Sequence, residues 1–272
     1  MKTLLVALHG IMTNQTDPSW PDKLDAWMFD RDPRVKVLKK EYRAGPFPHW
    51  NCWIKDPSLA RSLANEIELF VTAPSHSSHA SHSSQLPIWL VAHSNGAVIA
   101  LLTAKLLIQR GYQIAGLILT GAACEADLAK NGVLQWLEEG KLAAAVAYSS
   151  PDDQVLSWGK LLLPYGSLGR SGWLLRGDRP FPMSISGPAL DSRHQTQDCP
   201  LVQRWYPGGH STYFTPENID STFEQIHQDI MATTTEEPGD PVPIKHILNA
   251  DQSERLEVCS SLSSFPSVRS GT

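Results

Sequence analysis

Residues 86–108 constrain this chain more than any other stretch. Leu86-Pro-Ile-Trp-Leu-Val91 is a short apolar run and Ala97–Ile108 is apolar on almost every side, with only Ala92-His93-Ser94-Asn95-Gly96 between them. The first run has the character of a strand buried on both faces, the second that of a central buried helix. The residues between leave room only for a very tight turn. Ala92 and Gly96, two before and two after Ser94, are small enough to let strand and helix crowd together. The serine hydroxyl is then lifted clear at the apex of the turn, aimed at something beyond the sheet. A plainer reading stays open, because serine is also a favoured cap for the helix that follows.

The same alternation runs along most of the chain. Leu4–Leu8 is a continuous apolar run. Pro21 suits a first helical turn, where its missing N–H costs nothing; Leu24, Trp27 and Met28 give that helix an apolar face, and Pro33 ends it. Val35–Tyr42 reads as a strand nearer the sheet edge and Ser58–Val71 as an amphipathic helix. Pro87–Ala92 is the strand before the turn, and Asn95–Arg110 the helix after it, closed by Gly111. Ile114–Thr120 and Leu142–Tyr148 are further strands, with a helix over Glu125–Glu139 between them. A short helix over Asp153–Leu162, a last strand over Leu201–Tyr206 and a last helix over Pro216–Met231 complete the pattern. Strands alternating with helices predict an α/β fold, a mostly parallel central sheet with helices on both faces. We expect one domain over residues 1–232 and a disordered tail over 233–272, which is polar and rich in Ser, Thr and Pro. Pro74–Gln85 reads as a flexible Ser/His loop. Leu163–Pro200 is an unusually long connection for a compact domain, and such connections are often functional.

Composition narrows the partners. The 272 residues are 42% hydrophobic and 19% charged with a net charge of −5, so there is no overall basic footprint for nucleic acid or an anionic membrane. No stretch approaches the roughly 20 apolar residues that span a bilayer. The first apolar run ends in His9-Gly10 with no small-residue cleavage site, so it reads as a strand and not as a signal peptide, and a cytoplasmic protein is expected. Cys52, Cys124, Cys199 and Cys259 are scattered with no C-x-x-C, which argues against a zinc site or disulfide framework and fits a reducing compartment. His76, His79 and His82 have i, i+3 spacing but lie in the serine-rich loop without carboxylates or thiols, so no metal site is expected. Arg176-Gly-Asp178 reads as a turn.

Over roughly residues 3–232, the order of elements and four separate motifs resemble the α/β-hydrolase superfamily. Within it, the chain is similar to a compact, capless lipase- or esterase-type member. Ala92-x-Ser94-x-Gly96 matches its nucleophile elbow, with Ala in place of the first Gly, and this implies that Ser94 is the nucleophile. A free serine hydroxyl is a poor nucleophile and needs a base within reach. His210, in Tyr206-Pro-Gly-Gly-His shortly before the last helix, holds the place of the family's catalytic histidine. The acid falls after the strand ending at Tyr148, in Ser149-Ser-Pro-Asp-Asp-Gln-Val155. Asp-x-Val favours Asp153, with Asp152, Glu125 and Asp127 as alternatives. The order Ser, Asp, His is that of this superfamily. Leu8-His9-Gly10-Ile11 after the first strand matches the loop that supplies one oxyanion-hole N–H, so the resemblance implies backbone donors from Ile11 and Asn95. His93 reads as a packing residue and not as a second base.

These residues imply a serine hydrolase that needs no metal or organic cofactor and acts on a small-molecule acyl ester. Thioester or amide cleavage would use the same machinery. A catalytically silent hydrolase fold used for binding, or acyl transfer to another acceptor, are the alternatives. About twenty residues separate the strand ending at Thr120 from the next, enough for one crossover helix and too few for a large cap. The aromatic loop Gly45–Trp53 and the connection Leu163–Pro200 are left to cover the site. Arg170, Arg176 and Arg179 in the latter could meet an anionic group, or form a solvated face.

Overall fold

The structure is a computed structural model, and it describes residues 3–10, 19–40, 55–73, 86–157, 166–175, 179–180 and 200–234. The chain divides into two units, Met1–Gly239 and Asp240–Thr272, and every described residue belongs to the first. In order, the elements are β1 (Thr3–Leu8), α1 (Trp20–Arg31), β2 (Val35–Lys40), α2 (Asp56–Thr72), β3 (Ile88–His93), α3 (Gly96–Gln109), β4 (Gly116–Thr120), α4 (Leu128–Asn131), α5 (Val133–Glu138), β5 (Ala145–Ser149), α6 (Leu168–Ser171), β6 (Leu174–Leu175), β7 (Arg179–Pro180), β8 (Leu201–Trp205) and α7 (Ile219–Thr234). Six strands form one parallel sheet in the order β2-β1-β3-β4-β5-β8. The expected α/β architecture is the observed one.

Burial explains why the strands were legible. Strands β1, β3, β4 and β5 are buried along their whole length, so their sequences are unbroken apolar runs. At the edge, β2 alternates buried Val35 and Val37 with exposed Lys36 and Lys39. On one face of the sheet, Leu5, Ala7, Trp89, Val91, Ile118 and Val146 meet Trp20, Leu24 and Met28 of α1 and Phe223, Ile226 and Ile230 of α7. The alternate residues Leu4, Val6, Leu90 and Ala92 point the other way and are just as buried. Helices α2 and α3 pack against each other, and α3 lies on β1 and β3.

Three expectations are corrected in detail. The helix expected over Glu125–Glu139 is two short helices, because Gly132 at φ 85° breaks the turn between α4 and α5. Strands expected from Ile114 and Leu142 begin at Gly116 and Ala145, although Ile114 and Leu142 share an isolated parallel bridge. The described part of the long connection, which is only weakly periodic in sequence, carries elements of its own. It holds α6 and the antiparallel pair β6–β7, and Trp173 is buried there, donating from Nε1 to the Val202 carbonyl at 3.2 Å. Of the helix expected over Asp153–Leu162, residues 154–157 are helical and the remainder lies outside the described residues. Helix α7 continues to Thr234, and the tail beyond it, the loop 74–85 and the aromatic loop 45–53 also lie outside.

The direction of the chain across the sheet places the site. From β1 the chain moves outward to β2, then crosses back to β3 and continues away on the other side. Strand order reverses between β1 and β3, and in an open parallel sheet the carboxyl ends at such a point form the natural crevice.

A buried ion pair fixes the last strand. Arg204 of β8 donates from Nε to Asp229 Oδ2 of α7 at 3.1 Å and from Nη2 to Oδ1, and the Tyr148 hydroxyl of β5 donates to the same Oδ2 at 2.6 Å. Both charged side chains are about nineteen-twentieths buried, at 4% and 6% exposure. Asp229→Ala strands a buried guanidinium and should lower unfolding free energy by about 3–5 kcal/mol in urea titrations. The double replacement Arg204→Met/Asp229→Leu should recover most of that loss.

Candidate active site

Residues from three strand ends meet at the carboxyl edge of the sheet. Ser94 follows β3, Asp153 follows β5 and His210 follows β8. Ser94 has φ 55°, the one positive φ of a non-glycine residue among those described. That strained backbone holds the side chain at the apex of the turn. Its peptide is tied on both sides: Ser94 N–H donates to the Thr120 carbonyl at 3.1 Å, and its carbonyl accepts from Ala97 at 3.1 Å and Ala123 at 3.0 Å. Serine does not act as a side-chain cap here; Asn95 is the N-cap residue of α3 and makes no side-chain cap bond.

Close approach dictates the small residues. A Cβ on Gly96 would lie 2.8 Å from the His9 carbonyl oxygen, and one on Gly10 would lie 2.7 Å from Ser94 Cβ. Only glycine lets the end of β1 and the start of α3 come so near the serine.

The Ser94 hydroxyl, the His210 imidazole and the Asp153 carboxylate stand in a line of hydrogen bonds. Ser94 Oγ lies 2.8 Å from His210 Nε2, and His210 Nδ1 lies 2.7 Å from Asp153 Oδ2. A carboxylate only accepts, so Nδ1 carries the proton and Nε2 is left to accept from the serine hydroxyl. Asp153 is fully buried, and its other oxygen accepts the Leu156 N–H at 3.0 Å. The alternatives separate on position. Asp152 is exposed. Glu125, also exposed, accepts the Asp127 N–H, and Asp127 caps α4 through the Ala129 N–H at 2.9 Å.

The His210 loop is anchored by its backbone. Ser150 Oγ donates to the Gly208 carbonyl, and His93 Nε2 donates to the His210 carbonyl at 3.0 Å. His93 is buried, as expected of a packing residue, but that hydrogen bond was not legible. Burial and the neighbouring His210 push its pKa down to about 3, so the ring is neutral.

Asn95 was expected as a backbone donor, and nothing among the described residues accepts its N–H. Ile11, the other expected donor, lies outside the described residues, as do His76, His79, His82 and Arg176. Arg170 is exposed and donates to the Pro151 carbonyl at 3.2 Å and Ser157 Oγ at 3.1 Å, beside the acid loop. Among the described residues, no group of three or more His, Cys, Asp or Glu could hold a metal ion. No described helix is long and apolar enough to cross a membrane. Cys124, the one described cysteine, is a buried free thiol.

Sequence reasoning missed Asp56. It opens α2 at 1% exposure and accepts a long bond of 3.4 Å from Asn95 Nδ2, while its Oδ2 and Asn95 Oδ1 are buried with no partner among the described residues. Burial raises its pKa to about 6, against weaker opposing effects of Asn95 and Lys55. A carboxyl with a raised folded pKa favours folding only when protonated. Its penalty is absent below about pH 4, grows between 4 and 6, and is complete above 6, where it amounts to about 3 kcal/mol. Asp56→Asn should therefore be more stable than wild type at pH 8, with the gap closing by pH 4 in urea unfolding. A gap independent of pH would contradict this.

No family model and no curated protein matches the chain. Solved structures do resemble it. A thioesterase, RedJ, from the prodiginine biosynthetic pathway of Streptomyces coelicolor shares 14% identity over 84% of this chain and 90% of its own, with a TM-score of 0.40. Human thioesterase 2 shares 11% over 88% and 100%, with a TM-score of 0.44. A dienelactone hydrolase from Anabaena variabilis shares 11% over 85% and 86%, with a TM-score of 0.48. The sheet order, the reversal between β1 and β3, and the left-handed serine joining β3 to α3 are features of this chain itself, and they give it the α/β-hydrolase fold.

Proposed function

We propose that this chain is a serine hydrolase that cleaves a carboxylic ester or thioester through an acyl-enzyme on Ser94. The observation that carries the reading is the unbroken chain of hydrogen bonds from Ser94 Oγ through His210 to Asp153, at 2.8 and 2.7 Å. In this reading Ser94 Oγ attacks the substrate carbonyl carbon while His210 Nε2 takes its proton. Asp153, buried behind Nδ1, holds the tautomer and stabilises the imidazolium. The carbonyl oxygen becomes an anion and is met by the Asn95 N–H, with the Ile11 amide as its second donor. Each such donor contributes on the order of 3 kcal/mol in the transition state. Collapse expels the alcohol or thiol, which leaves with the proton from His210. Water, activated by the same histidine, then releases the acid and frees Ser94. The cycle balances without a cofactor. An amide would pass through the same steps with a poorer leaving group.

A fluorescent fluorophosphonate tests the reading, because it phosphonylates only an activated serine. Wild type should label, Ser94→Ala should not, and His210→Ala should label far more slowly, with far-UV circular dichroism unchanged in all three. Asp153→Asn should lower kcat on a p-nitrophenyl ester by roughly 10³–10⁴-fold, since the wrong tautomer of His210 is then favoured. Folded wild type that does not label defeats the proposal, and near-normal turnover in Asp153→Asn removes that residue from its role.

A further inference from the structure

We propose that His93 is a positioning residue of this site: its neutral imidazole donates to the main chain of His210 and so fixes the base loop against the serine next to it in sequence. The inference rests on the serine-hydrolase reading above. His93 Nε2 lies 3.0 Å from the His210 carbonyl oxygen, and its ring centroid is 4.9 Å from that of His210, tilted by 42°. Ser94 itself meets the Nε2 of the same histidine. Two consecutive residues of one turn therefore hold both ends of His210, one by its backbone and one by its side chain. That ties the nucleophile-to-base distance to rigid strand geometry, whereas His210 follows β8 on a loop with two glycines.

The surroundings hold the donor in one orientation. Phe214 meets the His93 ring edge-on at 5.3 Å and 88°, and Tyr213 at 6.4 Å and 66°. The Gly121 backbone closes another side, where an added Cβ would stand 3.4 Å from His93 Nε2 and 3.1 Å from the His210 carbonyl oxygen. The titratable groups that act on the ring are His210, Asp153 and His9. Burial, foremost, and His210 keep it uncharged. A neutral ring donates from one nitrogen and does not oppose the positive charge that His210 acquires when it takes the serine proton. Its Nε2 carries the proton donated to that carbonyl, so the nitrogen facing His210 has no lone pair to offer as a base.

The test compares His93→Phe, which keeps the ring volume and lacks the donor, with His93→Gln, whose amide can reach the same carbonyl. Fluorophosphonate labelling rates and kcat and KM on a p-nitrophenyl ester are measured for each. His93→Phe should lose about 10–100-fold in labelling rate and kcat with KM nearly unchanged, and His93→Gln should recover most of it. Wild-type speed in His93→Phe, or His93→Gln as slow as His93→Phe, overturns the inference while the hydrolase reading stands. Wild type that is not labelled, or label that persists in Ser94→Ala, defeats that reading and this inference with it. A readout on the unmodified protein covers a variant that fails to fold: imidazole ¹⁵N spectra should find His93 as the neutral Nε2–H tautomer from pH 5 to 8. An Nδ1–H tautomer or a cation in that range overturns it.

Discussion

The site depends on one strained peptide. Ser94 stands at φ 55°, a conformation that costs an ordinary L-residue on the order of 1–3 kcal/mol. It persists because the neighbours over-determine it. The Ser94 N–H and carbonyl are bound to Thr120, Ala97 and Ala123, so strand β4, helix α3 and the loop after β4 all oppose relaxation. Gly10 and Gly96 supply the space, since a side chain on either would collide with the serine or with the end of β1. The strain is thus held by the strand and helix packing that makes up the core, and the hydroxyl inherits the rigidity of the sheet.

Asp153 and His210 reach that hydroxyl from loops after β5 and β8, and each is secured by hydrogen bonds to its own surroundings. Asp153 N–H bonds to the Ser150 carbonyl at 3.1 Å, a tight turn that buries its carboxyl. Ser150 Oγ reaches across to the Gly208 carbonyl and joins the Asp153 loop to the His210 loop. Beneath the base loop, Arg204 and Asp229 lock β8 to α7, while the Tyr213 hydroxyl donates to the Tyr148 carbonyl at 3.2 Å. Positions on three separate strands converge because a parallel sheet puts all its carboxyl ends on one edge.

What the sequence revealed follows from this division. Buried strands are apolar runs and the turn at Ser94 needs small residues at fixed offsets, so both were legible from local pattern. The choice of Asp153 over Asp152 rested on the Asp-x-Val pattern alone, because it depends on which way one turn rotates: Asp153 is buried against His210 and Asp152 is exposed. The break in the helix after β4 was carried by a single glycine, Gly132, within an otherwise helical pattern. The His93 bond to His210 spans 117 residues and the Asn95 bond to Asp56 spans 39, and no periodicity encodes partners so far apart.

The same contacts show where stability is given up. Of the buried polar groups around the serine, Asp153 and His93 are paired. Asp56 and Asn95 are less well satisfied: each keeps a buried oxygen with no donor among the described residues. A buried acceptor left without a partner costs about 1–3 kcal/mol, and an apolar pair of similar volume would avoid it. The cost falls beside the one turn whose backbone is already strained, and a related cost recurs in the helix-on-sheet cores, where the indole nitrogens of Trp20 and Trp89 are buried with no partner among the described residues. Packing accounts for the apolar side chains of those cores. It does not account for a carboxyl buried against the residue that follows Ser94, so the demands that shaped this turn differ from those that shaped the sheet.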